Sequence, residues 1–156
     1  MPISTKLKKF LDKNNVKYLT ITHSRAFTAQ EIAATMHCPG KELAKSVIVK
    51  VNGDYVMVVL PASDKIDFDE IKSALNADWV ELASEEEFKG LFPECEVGAM
   101  PILGNIYGLP VIVSESILKD EDVYFNAGSH TEAIKMKTSD FKKLAKPRVE
   151  KLALSD

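Results

Sequence analysis

Two runs of β-branched and apolar residues, Ser46-Val-Ile-Val-Lys-Val51 and Tyr55-Val-Met-Val-Val-Leu60, flank Asn52-Gly53-Asp54. An Asn-Gly pair accepts the positive φ angles that a tight turn between twisted antiparallel strands demands, so this stretch predicts a β-hairpin. Every other element must be arranged around that pair of strands. The chain has 156 residues, 46% of them hydrophobic and 28% charged, which is the composition of one soluble globular domain spanning residues 1–156. A domain of this size buries roughly 68–70% of the surface its unfolded chain exposes, enough for a core without covalent staples.

Helical spacing of Leu7, Phe10 and Leu11 predicts a short amphipathic helix capped by Ser4 and ended by Asn14-Asn15, followed by a strand over Val16 to Thr22. A second helix is expected from Ala29 to His37, with Thr28 as cap and Pro39-Gly40 as stop. Beyond the hairpin, Asp67 to Leu75 and Ser84 to Leu91 read as helices, with a short strand at Trp79 to Leu82 between them. Leu109 to Ser114, Asp122 to Asn126 and Glu132 to Met136 read as short strands, and Ser139 to Leu144 as a closing helix. Strands and helices mix without a regular βαβ rhythm, so the expected class is α+β: a single domain around a mixed, mostly antiparallel sheet.

Cys38 and Cys95 lie far apart and neither sits in a Cys-x-x-Cys pair, so both are expected as small buried thiols rather than zinc ligands or a redox couple. His23, His37 and His130 are not spaced as metal ligands; no metal and no cofactor are expected. The segment Met1-Pro2-Ile3-Ser4-Thr5-Lys6 carries no apolar run and no stretch approaches a spanning helix, which predicts a cytoplasmic protein without a membrane partner. With 20 Lys plus Arg against 23 Asp plus Glu the net charge is −3, so no global basicity advertises nucleic acid. Locally the charge is segregated: Lys135, Lys137, Lys142, Lys143, Lys146, Arg148 and Lys151 crowd the end of the chain, a basic face suited to a polyanion or simply a solvated helix.

Three segments are candidates for chemistry. Lys45 opens the first hairpin strand beside apolar residues; dry neighbours favour its neutral form, and its three donors can orient a carbonyl, hydroxyl or phosphate oxygen. The stretch Val97-Gly98-Ala99-Met100-Pro101-Ile102-Leu103-Gly104-Asn105-Ile106-Tyr107-Gly108 is too apolar for an ordinary solvent loop. Its glycines allow close backbone approach to a ligand, yet it matches neither a P-loop nor a dinucleotide fingerprint. Phe125-Asn126-Ala127-Gly128-Ser129-His130 predicts a sharp turn in which Gly128 takes a positive φ and Ser129 and His130 present polar groups.

Taken together and in this order, Ala44-Lys45-Ser46, Glu96-Val-Gly-Ala-Met-Pro101 with Gly104-Asn-Ile-Tyr-Gly-Leu-Pro110, and Phe125-Asn-Ala-Gly-Ser-His130 with Ala133-Ile-Lys-Met136 resemble the YbaK/prolyl-tRNA synthetase-associated domain family. His23 and Thr28-Ala29 are similar to the family's N-terminal pattern, and the likeness runs from about Phe10 to Pro147. The resemblance implies a YbaK-like α+β domain, its mostly antiparallel sheet open or partly closed into a barrel and surrounded by helices. It also implies a free-standing deacylase that hydrolyses the ester between a wrong amino acid, such as Ala or Cys, and the acceptor end of tRNA, most often tRNA for proline, with a synthetase as a further partner.

By the same resemblance Lys45 is the functional lysine, holding the terminal nucleotide or the carbonyl region rather than attacking it. Thr28, Ser46, Gly98, Ala99, Met100, Pro101, Gly104, Gly128, Ser129 and His130 would line the substrate site. The chain departs from many members at Ser46, where threonine is common, at Met100, where a small hydroxyl residue is common, and at Ile102 and Leu103, where a second proline and an aromatic often stand. Those departures touch amino-acid selectivity rather than fold. Two other readings compete: a non-catalytic aminoacyl- or nucleotide-binding module, or synthetase-associated regulatory protein, and a hydrolase of another activated ester with His130 as general base.

Overall fold

The computed structural model describes residues 5–22, 43–62, 64–92, 95, 99–129, 131–150 and 153–154. The predicted Ala29 to His37 helix lies outside them. The hairpin forms β2 (Ala44–Val51) and β3 (Asp54–Pro61), paired from Val51↔Asp54 to Ala44↔Pro61. Asn52 and Gly53 make the turn, both with positive φ, 50° and 94°. This is the conformation the Asn-Gly pair predicts.

Around the hairpin stand β5 (Val80–Leu82), β6 (Val111–Ser114) and β9 (Arg148–Glu150), giving a five-stranded sheet of order β5-β2-β3-β6-β9. It is antiparallel from β5 to β3 and parallel from β3 through β6 to β9. A second, antiparallel sheet has the order β1-β8-β7, from β1 (Tyr18–Thr22), β7 (Asp122–Ser129) and β8 (Glu132–Lys137). Two-residue strands β4 (Lys65–Ile66) and β10 (Ala153–Leu154) pair separately. The sheets stay open: the described strands close no barrel, and of the two arrangements the family resemblance allows, the partly closed one is not adopted. The reason is visible at the junction, where β2 and β7 meet in one isolated parallel bridge, Leu43↔Tyr124, rather than in a continuous ladder.

The period-two alternation of β2 and β3 sends side chains to two separate cores. Ala44, Ile48, Met57 and Val59 join Val111, Val113, Phe125, Ile134 and Phe141 on one face, whereas Val49, Val56, Val58, Leu60 and Ile112 join Ile71 on the other. The first face is covered by helix α1 (Thr5–Lys13) through Leu7 and Leu11, by the three-stranded sheet, and by the C-terminal helix α4 (Thr138–Ala145) through Phe141. The second is covered by α2 (Phe68–Leu75). Each fully buried leucine or phenylalanine contributes roughly 1.5–3 kcal/mol, so the two layers fix the hairpin between them.

The caps explain the helix boundaries. Asp67 accepts from the N–H groups of Asp69 and Glu70 at the start of α2, and Asn76 ends it in the left-handed conformation. Ser84 and Glu87 exchange hydrogen bonds at the start of α3 (Glu85–Phe88), a capping box. That helix tightens into a 3-10 turn over Lys89–Leu91 instead of running on as one α-helix. Cys95 is half-buried rather than buried, its sulfur 3.4 Å from the Tyr107 hydroxyl. Cys38 lies outside the described residues.

Candidate active site

The site is built at the open end of the hairpin, opposite the Asn52-Gly53 turn. Beyond the Leu43↔Tyr124 bridge, β2 and β7 no longer pair, and residues 99 and 100 occupy the gap between them. Ser46 Oγ donates to the Met100 carbonyl at 2.8 Å, and the Gly128 N–H donates to the Ala99 carbonyl at 2.9 Å. The three segments singled out in the sequence are thereby joined by two hydrogen bonds.

Gly128 has φ +97° and lies where the β7–β8 register shifts between Asn126 and Ser129. It is therefore a strand bulge, not the sharp turn expected, and Ser129 is the last residue of β7, paired with Glu132. Ala127 and Gly128 fall out of the ladder between the Asn126↔Ala133 and Ser129↔Glu132 pairs, and glycine takes the left-handed conformation there without steric penalty. This is what turns the Gly128 N–H toward Ala99 instead of β8.

Ala99 is fully buried and Met100 nearly so, Met100 within the first core, and Pro101 is buried beside them. They form a packed, buried segment beside the opening of the hairpin. Gly104 begins a 3-10 turn over Gly104–Tyr107; a Cβ there would stand 3.0 Å from Met57 Sδ and 3.1 Å from Met57 Cβ, so a side chain at this position would press on buried Met57. Thr28, Gly98 and His130 lie outside the described residues.

Lys45 is next to Ser46 in the chain but on the other face of β2. It is paired with Leu60, which belongs to the second core, while Ser46 turns toward Met100. Its Nζ donates to the Asp64 carbonyl at 2.7 Å. Burial pushes the Lys45 pKa below the usual 10.5, and the Asp64 carboxylate opposes that shift. An ammonium has three donors, so the contact with Asp64 holds the side chain in place while leaving capacity for a ligand oxygen.

Asn126 is the residue that the sequence reading leaves without a role. Its neighbours Phe125 and Ala127 face the first core, so Asn126 faces away from it. The Asn126 Oδ1 is buried with no hydrogen-bond partner among the described residues. A buried amide oxygen left without a donor is unfavourable by about 1–3 kcal/mol. The one available signal is its polarity between two core-facing strand residues. Among the described residues no three His, Cys, Asp or Glu side chains are grouped to hold a metal ion, and no helix is long and apolar enough to cross a membrane.

A family model described as the aminoacyl-tRNA editing domain matches residues 23–144. Curated relatives include the proline–tRNA ligase of Staphylococcus saprophyticus, 30% identical over 95 residues that make up 60% of this chain and 16% of that protein. The proline–tRNA ligase of Staphylococcus aureus strain Newman is 38% identical over 74 residues, 47% of this chain and 12% of that protein. The chain thus spans a small fraction of the length of these relatives. Among solved structures, the hypothetical protein APE2540 superposes with a TM-score of 0.86 at 19% identity, covering 96% of this chain and 99% of that one. A candidate trans-editing enzyme for prolyl-tRNA synthetase superposes with a TM-score of 0.83 at 17% identity, covering 99% and 100%. At such identities the superpositions establish the α+β fold, and the family match, which takes in Lys45, Ser46, the buried segment and the Gly128 bulge, establishes that the chain belongs to the aminoacyl-tRNA editing domain family.

Proposed function

We propose that this chain is an aminoacyl-tRNA deacylase acting in trans: it hydrolyses the ester that joins a small, wrong amino acid such as alanine or cysteine to the acceptor end of tRNA for proline. The observation that carries the proposal is the half-buried Lys45 ammonium, held 2.7 Å from the Asp64 carbonyl at the point where the hairpin opens. The editing-family match supports it, and the proline–tRNA ligase relatives favour tRNA for proline and a synthetase as partner.

An aminoacyl ester is already activated, so no protein nucleophile is required. A water oxygen adds to the carbonyl carbon, the carbonyl electrons move onto oxygen, and the intermediate collapses with cleavage of the carbon–ribose oxygen bond. The ribose oxygen takes up a proton, and free amino acid and tRNA leave. Lys45 supplies donors and positive charge where negative charge resides, on the terminal nucleotide or the developing oxyanion. The buried segment at Ala99, Met100 and Pro101 limits the volume available to the amino-acid side chain. Selectivity then comes from exclusion of larger residues, since one methylene in a pocket is worth only about 1–3 kcal/mol. Residues 1–156 act as one editing unit on this reading.

The test is release of labelled amino acid from a panel of mischarged tRNAs by the native protein and by Lys45→Ala. Release of one or a few small amino acids by the native protein, lost in the variant, is the expected result. If the native protein releases nothing yet binds aminoacyl-adenosine analogues, it is a binding module. Retention of activity in Lys45→Ala with loss in His130→Ala would shift the chemistry to a general-base hydrolase.

A further inference from the structure

A groove of about 500 Å³ lies at the far end of the β7–β8 hairpin from the site, lined by Lys119, Lys137, Thr138 and Lys142 together with Asp120 and Glu121. It opens at the N-terminus of α4, where the capping position is held by Lys137, whose side chain makes no capping bond. The first N–H of the helix is taken by the Glu121 carbonyl at 2.9 Å. Thr138 is 5% exposed and its Oγ1 has no hydrogen-bond partner among the described residues. A smaller groove of about 200 Å³, lined by Lys17, Tyr18, Lys135 and Asp122 among others, shares Lys137 with the first. Across the two grooves five lysines face three carboxylates, in a chain whose net charge is −3.

We infer that this groove binds the phosphodiester backbone of RNA, with Lys119, Lys137 and Lys142 around a phosphate, the α4 N-terminus behind it, and the Thr138 hydroxyl as a donor awaiting an oxygen. Three features converge on an anion. Helix N-termini carry partial positive charge, lysines neutralise phosphate as mobile point charges, and an unpartnered buried hydroxyl is unfavourable unless a ligand satisfies it. The inference rests on the editing reading for its choice of RNA over other phosphates. Glu132, paired with Ser129 at the site, and Lys137, at the groove, are five residues apart on β8, roughly 17 Å at the rise of a strand. An acceptor end entering the site thus carries its preceding backbone past Lys135 toward Lys137.

The experiment is fluorescence anisotropy of labelled, uncharged tRNA with the full chain at several salt concentrations. Native protein is expected to lose affinity as salt rises, and Lys137→Ala and Lys142→Ala each to weaken binding several-fold and lower the log–log salt slope by about 1, for any tRNA sequence. Lys72→Ala, on α2 across the molecule, leaves both quantities unchanged. Thr138→Val separates recognition from packing: it removes a buried hydroxyl while keeping the side-chain shape, so it is expected to raise Tm and yet weaken RNA binding. A rise in Tm with native affinity would overturn the role given to Thr138. Native affinity and slope in both lysine variants would overturn the groove as an RNA site. Inorganic phosphate that protects the groove, with tRNA affinity unaffected by the lysines, would make it a small-anion site and overturn the RNA assignment. Because uncharged tRNA is the probe, failure to hydrolyse any ester would defeat the deacylase reading without altering these outcomes.

Discussion

The two ends of the β2–β3 hairpin share the same strands and carry a lysine each, yet the two lysines are treated in opposite ways. At the closed end Lys50 is met by Glu81 and Glu87, and those hydrogen bonds raise its pKa. At the open end Lys45 is met by a backbone carbonyl and loses hydration, and its pKa falls. The closed end is finished with local material: two turn residues, and Asn52 Oδ1 accepting from the N–H groups of Asp78 and Trp79. The open end is finished by residues 54 positions away in the Ser46–Met100 bond. What differs is the partner each lysine meets and how far along the chain it lies: carboxylates and turn residues at the closed end, a main-chain carbonyl and distant segments at the open end.

The largest expected effect tests that contrast directly. Lys45→Ala should lower deacylation by about 10²–10³-fold, the usual loss for one preorganised charge at a reacting centre. Lys50→Ala should leave the rate unchanged and shift Tm slightly, because exposed ion pairs contribute little. Rates on one mischarged tRNA, measured side by side, decide it; equal losses in both variants would erase the distinction between the ends. The sign of the pH response follows from the lowered pKa of Lys45. If the ammonium is the active form, the rate relative to uncatalysed hydrolysis should fall on the alkaline side at a pH below 10.5, earlier than an ordinary lysine allows.

Next in size is Gly104→Ala. The added methyl would meet Met57, a fully buried side chain, at 3.0–3.2 Å, and the close Cβ contact cannot be relieved by swinging the thioether alone. Overpacking of this kind costs about 1–3 kcal/mol, and a domain of this length loses about 2–4 °C in Tm per kcal/mol. Thermal unfolding of the variant measures it; an unchanged Tm would mean that the first core yields around Met57.

Two of the positive-φ glycines give a matched pair, one at each end: Gly53 at φ 94° and Gly128 at φ 97°. Alanine in that conformation costs about 1–2 kcal/mol at either place. Gly53→Ala meets nothing within 4 Å and should affect stability alone. Gly128→Ala should also lower deacylation, since the Gly128 N–H anchors Ala99. Comparing rates at matched folded fractions checks this.

What was legible in the sequence follows the same division. The hairpin, the Asp67 and Ser84 caps and the first helix rest on neighbours within a few residues, and the structure has them where the spacing puts them. The parallel pairing of β6 with β3 and of β9 with β6 rests on contacts across much of the chain, which no local pattern encodes. At the site, the positive φ of Gly128 was legible because glycine is the residue that takes it freely, but its place in a bulge was not, because a bulge is a register event between two strands. The opposite facing of Lys45 and Ser46 follows from period-two alternation, whereas the meeting of β2 with β7 at the Leu43↔Tyr124 bridge is a contact across the chain that no local pattern encodes.

The smallest expected effect belongs to the closed end. Glu87 has its pKa lowered from 4.5 to about 2, chiefly by the hydrogen bond from Lys50 and then by the Ser84 capping bonds. A carboxylate whose folded pKa is depressed stabilises the fold above its unfolded value, and that contribution is lost as pH falls from about 4.5 toward 2. Glu87→Gln should therefore flatten the acid limb of the stability curve in that window, by a small and salt-sensitive amount because the side chain is solvent-exposed. Chemical denaturation of the native and variant proteins between pH 5 and 2 provides the comparison. An identical acid limb would show that the capping bond to Ser84, which a glutamine can still accept, does the work at this end and that the charge on Lys50 is incidental to it.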